Sequence, residues 1–109
     1  MKKTNISIND SQHPERYKLQ ELLDYYMFER FDEAEKLAIS ITRKFEKHPF
    51  AWKVLGALLN KTGRISEALI ACEKSVLLDP SNPEAHNNLG NTLQKLGRLQ
   101  DAQASYKQS

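Results

Sequence analysis

The chain is 109 residues long, 28% charged and 39% hydrophobic, with a formal net charge of +2. That length supports one small domain with a modest core, and the mixed charge argues against disorder. Lys and Arg are spread among Glu and Asp rather than clustered, so no nucleic-acid partner is expected. Cys72 is the single cysteine, which excludes an internal disulfide. The basic start Met1-Lys2-Lys3 is not followed by the apolar run of a secretory signal. No stretch approaches the ~18 apolar residues of a membrane span. A cytoplasmic protein without membrane contact is the expectation.

In chain order, residues 1–13 form a lead-in that need not be ordered. Residues 15–48 open with an aromatic-dense helix bearing Tyr17, Leu22, Tyr25, Tyr26, Phe28 and Phe31. These aromatics are assigned to the core. A third helix is predicted from about Pro49 to Thr62, because proline suits the first helical position and Gly63 suits the left-handed cap. A fourth runs from about Ile65 to Leu78, and Asp79-Pro80-Ser81-Asn82-Pro83 ends it and starts the next. Apolar residues recur at helical spacing: Trp52, Leu55 and Leu59, then Ile65, Ala68, Leu69, Cys72 and Val76. Gly56 and Ala68 are expected to meet at the crossing, where small residues let two backbones approach, and the recurrence of a costly helical glycine at Gly56 and Gly90 implies the same packing role for both. A short sixth helix is expected after Gly97. No strand is predicted, since each periodic segment has a period near 3.6.

Residues 49–75 and 83–109 align at a shift of 34 with ten of 27 positions identical, among them Pro49/Pro83, Leu55/Leu89, Gly56/Gly90, Gly63/Gly97 and Ala68/Ala102. Chance would give about two. The segment Arg30-Phe31-Asp32-Glu33-Ala34 matches Arg64-Ile65-Ser66-Glu67-Ala68 at the same shift, while Leu22 stands opposite Gly56 and Lys18 opposite Trp52. The period and the set Trp52, Leu55, Gly56, Leu59, Ala68, Cys72 and Pro80 resemble the tetratricopeptide repeat. The third copy carries His86, Leu89, Gly90, Leu93, Ala102 and Tyr106 at the corresponding places. The resemblance implies an all-α, right-handed superhelical solenoid of about three antiparallel helix pairs: a degenerate repeat over 15–48, a second over 49–82 and a truncated third over 83–109. Leu22 in place of glycine should hold the first pair further apart.

Nothing in the sequence points to an enzyme. His13, His48 and His86 lack metal-ligand spacing, and no catalytic, metal-binding or cofactor-binding residue is expected. Cys72 takes a core aromatic's place and is read as a small hydrophobe.

The resemblance implies instead a protein- or peptide-binding scaffold, with the first helix of each repeat lining a concave groove. Carried onto this chain, the groove positions are Arg16, Leu19, Leu23, Tyr26 and Met27 in the first repeat. In the next two they are Phe50, Lys53, Ala57, Asn60, Lys61, Glu84, Asn87, Asn88, Asn91, Gln94 and Lys95. Amides can pair with the backbone of an extended peptide, and Lys53, Lys61 and Lys95 would favour an acidic one. Of the carboxylate-clamp pattern found in some members, Lys53 and Asn88 match and Ala57 departs. Asn88 also matches the asparagine ladder of O-GlcNAc transferases, whereas Gln20 and Val54 do not.

The run Ala85-His86-Asn87-Asn88-Leu89-Gly90-Asn91 looks like the N-terminal repeats of bacterial proteins of that kind. One alternative is therefore a substrate-recruiting segment of a larger glycosyltransferase or sulfotransferase. Another is a self-association module. A full third copy would extend past Ser109, so a homo-dimer through the truncated repeat is expected, with Leu89, Leu93, Leu96, Leu99, Ala102 and Tyr106 under reduced cover.

Overall fold

The computed structural model describes residues 13–108, with side chains placed through Leu99. The lead-in before His13, the side chains of Ala102 and Tyr106, and Ser109 lie outside the described residues. Five α-helices and no strand occur among the described residues. They are α1 (Arg16–Met27), α2 (Phe31–Lys44), α3 (Pro49–Lys61), α4 (Ile65–Leu78) and α5 (Pro83–Gln108). Each helix packs on the next, and α3 also packs on α1 and on α5. The fold is an all-α repeat solenoid with α1, α3 and α5 in one layer and α2 and α4 in the other. α2 and α4 do not pack on one another.

The core runs along the middle of this stack. Leu22 of α1, Ala34, Ala38 and Ile41 of α2, and Ala51, Val54, Leu55, Leu58 and Leu59 of α3 are buried together with Ala68 and Ala71 of α4. Alanines at Ala34, Ala38, Ala68 and Ala71 recur at three and four residues, so one face of each outer helix is smooth enough for close approach. Pro49 starts α3 as its sequence position implied, and Gly63 ends the turn after α3 with φ +82°. Asn82 caps α5 by accepting from the backbone N–H groups of Glu84 (2.9 Å) and Ala85 (3.2 Å).

Glu29, which aligns with Gly63 at a shift of 34, adopts the same left-handed conformation, with φ 61°. The turn geometry repeats although the glycine does not. A side chain there costs about 1 kcal/mol, because Cβ crowds the following carbonyl. Glu29→Gly is therefore expected to raise stability by up to about 1 kcal/mol, read as a higher urea midpoint at unchanged slope. An unchanged or lower midpoint would show that the turn carries no strain.

Four sequence expectations are corrected. The sixth helix is not separate, because α5 continues through Gly97, whose φ is not positive. Turning back would give up several i→i−4 bonds, and only a returning helix packed on the first offsets that loss; α5 packs on α3 and α4 alone. The closest approach to Gly56 is made by Cys72 rather than by Ala68: a Cβ added there would stand 2.6 Å from the Cys72 Sγ. Cys72 lies one turn beyond Ala68 on the same face of α4, so the tightest point of the crossing falls at Cys72. Gly90 has nothing within 4 Å of an added Cβ, because α5 runs straight where α3 is covered by a return helix. Finally, the aromatics of the first pair divide, and Phe28 and Phe31 lie outside the first helix, in the turn after α1 and at the start of α2. Tyr25, Tyr26 and Phe31 pack against the core, whereas Tyr17 (62% exposed) and Phe28 (77%) do not. Leu22 is fully buried and α1 packs more lightly on α2 than α3 does on α4. Among the described residues α1 has neighbouring helices on one side only, which leaves more of its aromatic surface in water.

Candidate functional site: a groove across α1, α3 and α5

The three inner helices bound a channel. A cleft of about 510 Å³ is lined by Leu23 and Tyr26 of α1, Phe50, Lys53, Val54 and Ala57 of α3, and Glu84, Asn87, Asn88 and Asn91 of α5. A second hollow of about 290 Å³ continues it, sharing Tyr26, Ala57, Asn88 and Asn91 and adding Asn60, Lys61, Gln94, Lys95 and Arg98. Periodicity explains the convergence. Lys53, Ala57, Asn60 and Lys61 recur at three and four residues on α3, as do Glu84, Asn87, Asn88, Asn91, Gln94, Lys95 and Arg98 on α5.

The floor is a polar network between α3 and α5. The Asn60 Nδ2 donates to the Thr92 Oγ1 at 2.6 Å, and that hydroxyl donates to the Asn88 carbonyl at 2.7 Å. Cys72 Sγ lies 3.4 Å from the same hydroxyl. Burial pushes the Cys72 thiol above its ordinary pKa, which keeps it protonated and poorly nucleophilic. The Asn60 Oδ1 is buried and has no hydrogen-bond partner among the described residues. Asn88 reaches the Lys53 carbonyl through its Nδ2 at 3.5 Å.

Charge is distributed unevenly along the channel. At one end Lys53 donates to Glu84 at 2.7 Å and lies over the Phe50 ring. The Lys53 ammonium holds the Glu84 carboxyl below its ordinary range. At the other end Lys61, Lys95 and Arg98 are exposed and in no ion pair among the described residues. Lys61 lies over the Tyr26 ring, whose partial burial raises the phenol pKa.

Two tetratricopeptide-repeat family models match the chain, one over residues 51–82 and one over residues 71–104. Residues 51–104 carry tetratricopeptide repeats. One match takes α3 with α4; the other begins midway along α4 and takes in most of the described α5. No curated protein matches the chain at a significant level. Tetratricopeptide repeats are protein-interaction scaffolds, whose stacked helix pairs present extended surfaces. Among the described residues no helix is long and apolar enough to cross a membrane, and no three His, Cys, Asp or Glu side chains group as metal ligands.

All ten groove candidates, Tyr26, Lys53, Ala57, Asn60, Lys61, Asn87, Asn88, Asn91, Gln94 and Lys95, line one or other hollow of the channel. Leu23, Phe50 and Glu84 line it as well, whereas Arg16, Leu19 and Met27 do not. Leu19 packs on the core and Met27 is 66% exposed. Lys53 is engaged by Glu84 and does not contribute a free charge. Sequence reading passed over Thr92 and Arg98. Arg98 stands three residues after Lys95, a spacing that could have found it. Thr92 stands opposite Leu58 in the aligned copy, and nothing local marks it as buried. A further pairing joins residues that looked isolated: His13 and His48 are T-shaped at 5.9 Å between ring centroids, and burial followed by the charge of His13 lowers the His48 pKa.

Proposed function

We propose that the groove binds an extended, acidic peptide segment of a protein partner. The observation that carries the reading is the uneven dressing of one continuous channel. Asn87, Asn91 and Gln94 are exposed along α5 with no hydrogen bond to their amides among the described residues. Each offers a donor and an acceptor to a peptide backbone. The Lys61, Lys95 and Arg98 end supplies positive charge for an acidic side chain or a terminal carboxylate, and the Lys53–Glu84 end is neutral. Tyr26 and Phe50 give apolar walls between them. Calorimetry with an acidic extended peptide tests the reading. The double substitution Asn91→Ala with Gln94→Ala should weaken binding about ten-fold, about 1.4 kcal/mol. Unchanged affinity in that variant would move the site off the groove.

Self-association is supported by a separate observation. Leu93 and Leu99 on α5 are 50% and 53% exposed, and together they offer apolar surface to a second copy. Sedimentation across a concentration series reaching ~1 mM, where contacts of about 4 kcal/mol register, should show a dimer that Leu93→Lys with Leu99→Lys removes. A monomer throughout overturns this second reading. The recruiting-segment reading draws on the resemblance to transferase repeats alone.

A further inference from the structure

The solenoid has a second furrow, on the side away from the groove. α2 and α4 flank it without packing on one another, joined where α4 begins by the Arg64–Glu35 ion pair, and α3 forms its floor. Two hollows, about 240 Å³ and about 390 Å³, adjoin at Trp52 and Ile70. None of their lining residues belongs to the groove, because Trp52, Leu55 and Leu59 point from a different face of α3 than Lys53, Ala57 and Asn60 do.

The furrow is apolar within and acidic around. Ile70 is 67% exposed and Leu77 73% exposed, a high exposure for two aliphatic side chains beside a tryptophan. Around them stand four carboxylates, Glu35, Glu46, Glu67 and Glu73, against two cations, Arg64 and Lys74. Arg64 is taken up by Glu35 at 2.6 Å and by Glu67. Lys74 lies over the Trp52 ring, 5.9 Å from its centroid. The carboxylates of Glu46 and Glu73 enter no ion pair among the described residues. The Trp52 indole N–H donates to the Glu46 carbonyl at 2.9 Å, which fixes the ring as a wall of the furrow.

We propose that this furrow docks an amphipathic helix of a partner protein, with an apolar face bordered by lysines or arginines. Its shape favours a helix. Ile70 and Leu77, two turns apart and exposed on α4, make a ridge against which the side chains of a docked helix can pack. Its charge favours a basic one. The two unpaired carboxylates give flanking cations a partner, and the Trp52 face is already a cation site, which a partner's cation can take over when Lys74 swings aside. This docking surface is separate from the groove and does not depend on what the groove binds.

Trp52 is the only tryptophan in the chain, so its emission reports on the furrow directly. The probes are a short synthetic helix of leucines and lysines with one apolar face, its leucine–glutamate counterpart, and the lysine peptide broken by a central proline. The lysine helix should shift Trp52 emission to the blue in a saturable way. It should bind at least about ten-fold more tightly than either of the others, and more weakly as salt rises. Ile70→Ser with Leu77→Ser, both at exposed positions, should lose about ten-fold in affinity at unchanged helicity. Glu46→Lys with Glu73→Lys should reverse the preference between the lysine and glutamate helices. Gln94→Ala, in the groove, should change nothing. Equal binding of the three peptides, absence of a saturable emission change, or full binding by the Ile70/Leu77 variant overturns the proposal. So does a furrow occupied by a second copy of the chain, seen as a dimer that the Ile70/Leu77 variant abolishes.

Discussion

Replacing Gly56 with leucine is expected to destabilise the fold by about 1–3 kcal/mol, the usual cost of forcing extra methylenes into a packed core. At about 4–8 °C per kcal/mol for a chain of this size, the melting midpoint should fall by roughly 10 °C. The physical cause is one contact. An added Cβ would stand 2.6 Å from the Cys72 Sγ and 3.4 Å from the Cys72 backbone nitrogen. The sulfur cannot swing away freely, since Cys72 is 1% exposed and its Sγ touches the Thr92 hydroxyl. Helix propensity works in the opposite direction, since a helical glycine costs about 1 kcal/mol against alanine. Gly56→Ala alone therefore sets a propensity gain against a clash. Combining Gly56→Ala with Cys72→Ala should recover stability relative to Gly56→Ala alone, because the backbone atoms of Cys72 stand at ordinary contact from an alanine Cβ and only the sulfur intrudes. The cycle of both singles and the double isolates that coupling. Additive effects of the two changes would show that Gly56 and Cys72 do not share the contact. Gly90→Leu is the control: nothing lies within 4 Å of its Cβ, so it should cost little or nothing.

The contrast between these two glycines marks what the sequence could and could not convey. The shift of 34 pairs Gly56 with Gly90 and Gly63 with Gly97, so the reading gave each pair one structure. Position in a repeat sets a residue's local geometry only where the neighbouring helix is present. α3 has α4 folded back on it, so Gly56 is enclosed and Gly63 turns left-handed; α5 continues straight, so Gly90 faces open space and Gly97 stays helical. The same cause operates at the other end. Phe28 looked like core by residue type, yet it sits in the turn after α1, at the edge of the stack, and lies in water.

The helices themselves were legible because propensity and punctuation agreed. Ile65–Leu78 was read at the observed bounds, and Pro49 and Pro83 start the helices expected of them. The positions lining the groove were legible for the same reason, since helical spacing alone places Lys53, Ala57 and Lys61 together. Their electrostatic state was not. Lys53 and Glu84 are 31 residues apart, and their pairing exists only because α3 and α5 pack side by side. The furrow of Trp52, Ile70 and Leu77 was missed because Trp52 was read only as one apolar position at helical spacing, and Ile70 and Leu77 come beside it only once α4 packs on α3.

The pairing of Lys53 decides which charges a binding experiment should touch. Lys53→Ala would release Glu84 from α3, and Asn88→Ala would loosen the bond to the Lys53 carbonyl, so that combination should lower stability as well as affinity. Lys61 and Lys95 offer the cleaner test. Both are exposed, and neither enters an ion pair among the described residues. Lys61→Glu with Lys95→Glu is expected to weaken an acidic extended peptide by about 2 kcal/mol, or about thirty-fold, as two surface attractions of up to ~1 kcal/mol each become repulsions. Stability should hold to within about 1 kcal/mol, because the losses are a cation–π contact over Tyr26 and a long bond from the Lys95 ammonium to the Asn60 carbonyl. Binding by the unmodified protein should fall with rising salt, and the variant should lose that dependence, since exposed charges are screened within about 10 Å at 0.1 M. A peptide with lysines in place of its acidic residues should bind the variant better than the parent. Unaltered affinity for the acidic peptide, with the salt dependence intact, would place the anion-binding end of the groove elsewhere.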